Sequence, residues 1–219
     1  TSETLENAHK VKTICFDKTG TLTKGELSIS KLYNYSNIDE KEILKIVASI
    51  ENKSEHPIAR AIVKKAQDGK IKLKEIKEFK AIPGFGVEAI IESGEKYLIG
   101  NKKLLLENNI KIENEKDEQE LVSDGNSILF VSSNNKIVAL IGVKDILKEN
   151  VKEVIKKLKQ RKINLVMLTG DNEKTAEIIA KEIGIEKVIS NVTPKEKAEQ
   201  IKKLKEDGIV MMCGDGIND

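Results

Sequence analysis

The apolar positions change period along the chain, and the changes mark out its organisation. Val11 to Phe16 is a short apolar run that ends on Asp17, the pattern of a buried strand. Residues 21–25 read as loop. Ile43, Ile46, Val47 and Ile50 then follow helical spacing, as do Ile58, Ala61, Ile62 and Ala66. Between these two helices lies Ser54-Glu55-His56-Pro57, with Pro57 suited to the first turn of the second. The period then shortens to two. Val87, Ala89 and Ile91 alternate, Ser93-Gly94 turns the chain, and Tyr97 and Ile99 continue, which predicts a hairpin. A second hairpin turns at Asn134-Asn135, between strands at 128–131 and 137–141. The acidic stretch from Glu107 to Glu120 reads as a solvated helix face or loop.

From Val143 onward strands and helices alternate. Leu147, Val151, Val154, Ile155 and Leu158 mark an amphipathic helix, and residues 163–168 a strand followed by Thr169-Gly170-Asp171. Thr175, Ile179 and Ile183 line the next helix, residues 187–190 the next strand, and Ala198, Ile201 and Leu204 a further helix. The last strand, 209–213, runs into Gly214-Asp215-Gly216. Such alternation implies an α/β unit with a parallel sheet. Ligands of these sheets bind beyond the carboxyl ends of the strands. Asp17, Thr169-Gly170-Asp171 and Asp215 each follow a strand, so they are expected on one crest despite their separation in sequence. The simplest topology inserts an α+β antiparallel-sheet unit after the first strand. Its joints fall near Lys24-Gly25 and Gly142, giving segments 1–25, 26–141 and 142–219.

Composition removes several function classes. The chain carries 38 basic and 36 acidic residues, a net charge of +2, which argues against a nucleic-acid partner. Aromatics are 3% and tryptophan is absent, so no base-stacking platform is expected. Cys15 and Cys213 belong to no Cys-x-x-Cys pair and read as small buried hydrophobes in strands. No signal-peptide pattern is visible, and the longest apolar run, Ile137 to Val143, is far short of the ~20 residues that cross a bilayer.

The crest residues suit phosphoryl transfer. An ionised carboxylate at a strand end, Asp17, is a candidate nucleophile. Asp215 is the natural second carboxylate for a Mg²⁺ ion, which favours a few hard oxygens and keeps some waters. Thr169 and the amides of Gly170 and Asp171 can hydrogen-bond phosphate oxygens, and Lys197, just inside a helix starting at Pro194, adds positive charge.

Asp17-Lys18-Thr19-Gly20-Thr21-Leu22-Thr23 resembles the phosphorylation motif of the P-type ATPases, membrane pumps that form an aspartyl-phosphate. Thr169-Gly170-Asp171-Asn172, Pro194 with Lys197, and Gly214-Asp215-Gly216-Ile217-Asn218-Asp219 resemble the companion motifs, in order. The resemblance implies a haloacid-dehalogenase-like fold. It implies phosphorylation of Asp17, with Lys18 and Thr19 in the catalytic string. Mg²⁺ is then held by Asp17, the main-chain carbonyl of Thr19 and Asp215. Thr169 and Lys197 bind phosphate, and Asn218 and Asp219 complete the site. In the family this domain continues into further sheet structure and the membrane, so the fragment is expected to be truncated. Related soluble phosphatases carry an Asp two residues after the nucleophile as general acid/base; here that residue is Thr19. Without that base the phosphoenzyme should persist. In the family its hydrolysis is assisted by a Glu of a separate actuator domain, and no Thr-Gly-Glu motif of that kind occurs here.

Ser54-Glu55-His56-Pro57-Ile58-Ala59-Arg60-Ala61-Ile62, with Glu51 upstream, resembles the signature of the heavy-metal-transporting branch, the copper pumps especially. By that resemblance Glu51 hydrogen-bonds the adenine amine of ATP and His56 packs against its ring, with Gly84, Gly86, Gly100 and Asn101 close to the nucleotide. Glycine suits this role because a missing Cβ lets backbone approach a ligand. Residues 84–89 also fit a dinucleotide-binding fingerprint, but a strand pattern follows where a helix is required. Gly20 to Gly25 has the glycine spacing of a Walker A loop, but Glu26 replaces its Lys. The expected protein is thus the ATP-binding, cytoplasmic portion of a membrane pump, its cation bound only by membrane helices this chain lacks. A soluble haloacid-dehalogenase-like phosphatase and a non-catalytic nucleotide sensor are the alternatives. Zinc, cadmium or silver are alternatives to copper.

Overall fold

The computed structural model describes residues 10–216, so Asn218 and Asp219 lie outside the described residues. In chain order the elements are β1 (Val11–Asp17), β2 (Thr23–Asn34), α1 (Glu40–Glu51), α2 (Pro57–Asp68), β3 (Ile76–Ile82), β4 (Gly86–Ile91), β5 (Lys96–Gly100), α3 (Lys102–Glu107) and α4 (Glu115–Ser123). They continue with β6 (Ser127–Ser133), β7 (Lys136–Leu147), α5 (Val151–Gln160), β8 (Asn164–Leu168), α6 (Glu173–Ile183), β9 (Lys187–Ile189), α7 (Pro194–Lys205) and β10 (Ile209–Cys213). The described chain forms two compact units. One holds residues up to Glu26 and from Asp145 on; the other is Leu27–Lys144.

The first unit is a parallel sheet in the order β10-β1-β8-β9. Both faces are covered, which is why its strands are continuous apolar runs. Ile14, Phe16, Leu165 and Met167 pack with Ile155 of α5 and Ala176, Ala180 and Ile183 of α6. Cys15, Val166 and Leu168 point the other way, onto Val192 in the loop before α7 and Leu204 within it. The register pairs Asp17 with Leu168 and Phe16 with Cys213, so Thr169 and Gly214 follow on at the same level of the sheet. Two helices start at that end with strong caps. The Asn172 side chain accepts from Thr175 N at 3.0 Å to open α6. Thr193 and Glu196 form a capping box at α7, with Thr193 N donating to Glu196 Oε2 at 2.9 Å.

The second unit is a six-stranded sheet, β2-β7-β6-β5-β4-β3, antiparallel from β3 through β7. Helices α1 and α2 pack on Val87, Ala89, Tyr97, Ile99, Val131 and Ile141. The alternate residues Leu98, Phe130 and Leu140 face Leu104 and Leu105 of α3 and Leu121 of α4. Period two therefore sorts the same strands onto two cores. The turn between β6 and β7 puts Asn134 at φ 51° and Asn135 at φ 58°, the pair of positive φ values that a type I′ hairpin needs.

Several boundaries differ from the sequence expectation. Leu147 ends β7, and α5 starts only at Val151. Its apolar spacing matched the helix because strand end and helix start share one core. Thr23 begins β2 inside the stretch read as loop, and the strand at 187–190 ends at Ile189. Residues 115–120 of the acidic stretch open α4 as the expected solvated face, and the helix turns its core side only at Leu121, just past the stretch. Strand β3 and helix α3 carried no readable signal. In β3 only every third residue is half-buried, and α3 has six residues, fewer than two turns.

Candidate active site

Asp17 is the last residue of β1, and only 7% of it is exposed. Lys197, from the first turn of α7, places Nζ 3.0 Å from Asp17 Oδ1. Both side chains are nearly buried, so neither charge is tolerated there without the other. After Asp17 the chain makes an irregular turn through residues 18–22, with Gly20 at φ +75°. A Cβ on Gly20 would stand 2.7 Å from Asp215 Oδ2. Glycine is thus what admits the Asp215 carboxylate beside the loop that follows Asp17.

Thr169 is buried, and its hydroxyl accepts from Asp171 N at 3.1 Å. That leaves the hydroxyl proton for another acceptor. Its backbone is fixed by Thr169 N donating to Ile189 O and Val192 N donating to Thr169 O, at 3.0 and 3.2 Å. Asp171 is engaged within the protein: its amide donates to the Thr169 hydroxyl, and its carboxylate lies 2.9 Å from Lys18 Nζ. Gly170 is exposed, with the Val192 carbonyl 3.4 Å from where a Cβ would be.

Two further residues build this crest and carried no motif. Asp145 stands 4.0 Å from Lys18 Nζ and accepts from Thr23 Oγ1 at 2.6 Å, while its buried Oδ1 has no hydrogen-bond partner among the described residues. Lys148 N donates to Leu22 O at 2.9 Å, and Lys148 Nζ donates to the Gly20 carbonyl. Residues 145–148 therefore strap the turn that carries Lys18 and Gly20. The available signal for Asp145 was the same as for Asp17: a carboxylate just past an apolar run. Cys15, next to the crest, is fully buried; burial, with the Asp17 charge second, pushes its thiol up to about 11, so it stays a neutral hydrophobe.

The donor set fits Mg²⁺. Asp17 and Asp215 offer two carboxylates and Thr19 a main-chain carbonyl, all hard oxygens, and Gly20 clears the approach between them. Among the described residues no group of three or more His, Cys, Asp or Glu could hold a metal ion. A site of this kind leaves coordination positions for water and phosphate oxygens.

In the second unit Glu51 ends α1 and His56 caps α2. His56 Nδ1 accepts from Ile58 N at 3.2 Å, which leaves the ring proton on Nε2 and the exposed ring face open. Glu51 is 5% exposed, and burial pushes its carboxyl up to about 7, with a Ser54 hydrogen bond opposing. A folded-state value above the unfolded one means the fold holds the extra proton between about pH 4.5 and 7, so stability falls as pH rises through that window. Glu51→Gln is accordingly expected to stabilise the chain at pH 8 by about 1–3 kcal/mol and to change little at pH 4. Thermal unfolding at the two pH values checks this; equal shifts at both would contradict it.

The glycines also meet a demand from the protein's own backbone. Gly86 and Gly100 face each other across β4 and β5. A Cβ on Gly86 would lie 2.1 Å from the Ile99 carbonyl oxygen, and one on Gly100 2.1 Å from that of Phe85. Their missing side chains are required by neighbouring backbone before any ligand is considered. Gly84, at φ +79°, has open space around it. Asn101 ties the group together: Nδ2 donates to Gly84 O at 2.8 Å and Oδ1 accepts from Leu104 N at 3.1 Å.

The sequence profile of the haloacid dehalogenase-like hydrolases matches residues 11–219. A copper-exporting P-type ATPase of Staphylococcus haemolyticus (strain JCSC1435) is 41% identical over 219 residues, 99% of this chain and 27% of that protein. Its counterpart in Staphylococcus aureus (strain N315) is 39% identical over 220 residues, again 27% of its length. The chain thus spans about a quarter of the curated relatives it matches. Among solved structures, a zinc-transporting PIB-type ATPase in the E2.Pi state superposes with a TM-score of 0.85 at 31% identity, over 96% of this chain and 34% of that one. The catalytic domain of the CPx-ATPase CopB-B, from a study of its conformational changes upon nucleotide binding, superposes at 0.66 with 32% identity, over 100% of this chain and 78% of that one.

Proposed function

This chain belongs to the haloacid dehalogenase-like hydrolases and, within them, to the P-type ATPases, and on that footing we propose that it takes the terminal phosphoryl group of ATP onto Asp17. The observation that carries the proposal is the buried pair at the end of β1, with Lys197 Nζ 3.0 Å from the Asp17 carboxylate. An Asp17 oxygen attacks the γ-phosphorus, the bond to the β–γ bridging oxygen breaks, and ADP leaves with that electron pair. Lys197 and the Thr169 hydroxyl meet the charge on the phosphoryl oxygens. Lys18, held by Asp171, keeps the turn after the nucleophile in place. Mg²⁺ held by Asp17, the Thr19 carbonyl and Asp215 would supply charge neutralisation for the incoming phosphates. Thr19 provides no base for water, so the aspartyl-phosphate lasts. We read Asn218 and Asp219 as the remaining members of this site.

ATP binds, on this reading, through the second unit, with Glu51 at the adenine amine, His56 against the ring, and Gly84, Gly86, Gly100 and Asn101 alongside. We take the parent protein to be a membrane pump that exports copper, this chain its cytoplasmic portion, and the actuator domain of the same pump its partner in dephosphorylation. The names of the curated relatives support copper, and the zinc-transporting structure at 31% identity supports zinc as the second reading. His56→Gln is expected to weaken ATP binding at least tenfold while lowering the melting temperature by no more than about 4 °C, because His56 is exposed and its structural part is limited to the cap on Ile58 N. Isothermal titration of both chains with ATP tests this; equal affinities would remove His56 from the site.

A further inference from the structure

We propose that the end of the parallel-sheet unit opposite Asp17 docks on an anionic lipid-bilayer surface. All four strands run the same way, so their starts share one end, and α5, α6 and α7 finish there too. This end is basic. The close of α5 and the turn after it carry Lys157, Lys159, Arg161 and Lys162. The last turn of α7 carries Lys202, Lys203 and Lys205, and α6 adds Lys181. The strand starts add Lys10, Lys12 and Lys187. Against these eleven stand Glu182, Glu186, Glu206 and Asp207, a local net charge of +7 in a chain whose total is +2.

Helix dipoles favour lysines in last turns, but they place no demand on Lys10, Lys12, Arg161, Lys162 or Lys187, which lie on turns and strand starts. Pairing does not absorb the charge either. Lys159 pairs with Glu186 and Lys157 with Glu153, and among the described residues no ion pair engages the others. A second feature lies at the same end: a cavity of about 260 Å³ lined by Ile163, Leu165, Ile185 and Leu204, with Lys159 and Lys187 at its edge beside Glu186 and Asp207. The excess of cations around this partly apolar recess, seven over the nearby acids, matches an anionic phospholipid surface. Single-stranded nucleic acid would want stacking aromatics, and they make up only 3% of the chain. A cluster of this size attracts an anionic leaflet, with each basic residue near the surface adding to the affinity. The crest with Asp17 is left facing away. The inference goes beyond the catalytic reading and does not depend on it.

Co-sedimentation of the chain with phosphatidylcholine vesicles, with and without roughly 30 mol% phosphatidylglycerol, tests the proposal. Partitioning should be at least tenfold stronger with phosphatidylglycerol and should vanish in high salt. Lys202→Gln/Lys203→Gln/Lys205→Gln should weaken it on the order of a hundredfold, and the matching Lys→Arg triple should restore it. Lys72→Gln/Lys77→Gln/Lys80→Gln removes the same charge from exposed positions on the other unit and should leave it unchanged. Equal binding to both vesicle types, or to neither, overturns the proposal. So does equal loss in both glutamine triples, or binding to duplex DNA without binding to vesicles.

Discussion

Asp17→Asn is expected to reduce labelling of the chain by terminally labelled ATP to background, a loss of at least 10³-fold. Asparagine keeps the size and one acceptor oxygen of the native side chain, so Lys197 retains a hydrogen-bond partner at a position where both side chains are about one-tenth exposed. What it cannot supply is the anionic oxygen that forms the bond to phosphorus. Losing the carboxylate from a nearly buried pair costs stability, and a melting temperature several degrees lower is expected. ATP affinity should stay within a few-fold, because the proposed adenine contacts belong to the other unit. Acid-quenched labelling, run beside calorimetric ATP titration, separates these outcomes. Label that persists in the folded variant would move the nucleophile elsewhere.

Lys197→Ala should lower the phosphorylation rate by about 10²–10³. Two effects oppose each other at this residue. The ammonium stabilises the Asp17 carboxylate before reaction, which makes it a poorer nucleophile. As the new bond forms, negative charge concentrates on the transferring phosphoryl oxygens, within reach of the same ammonium. Only the interaction that is stronger in the transition state changes the rate, and in a site this dry the second outweighs the first. The rate should therefore fall far more than ATP affinity. A parallel fall in both would place Lys197 in ground-state binding alone.

How much of this was readable beforehand follows from where the information sits. The crest was legible because each of three strands is an apolar run that stops on a polar motif, and a parallel sheet forces those stops to one end. The register, Asp17 beside Leu168 and Phe16 beside Cys213, is the physical form of that argument. The part played by Asp145 was not legible. Its partners, Lys18 and Thr23, are remote in sequence, and no periodicity links a single carboxylate to a distant lysine. Gly86 and Gly100 were legible only in part. A glycine signals close approach, but the sequence does not say whether the approaching atom is ligand or backbone; here it is a carbonyl oxygen. Glu51 was found as a residue, yet its raised carboxyl depends on burial at the end of α1, which no local pattern encodes.

The most direct measurement is to expose the 219-residue chain to terminally labelled Mg-ATP, quench in acid, digest, and locate the label by mass spectrometry. One phosphorylated peptide is expected, carrying an acid-stable, hydroxylamine-labile acyl phosphate on Asp17. Phosphate on any other residue would contradict it. So would steady turnover of small phosphate esters with no labelled intermediate.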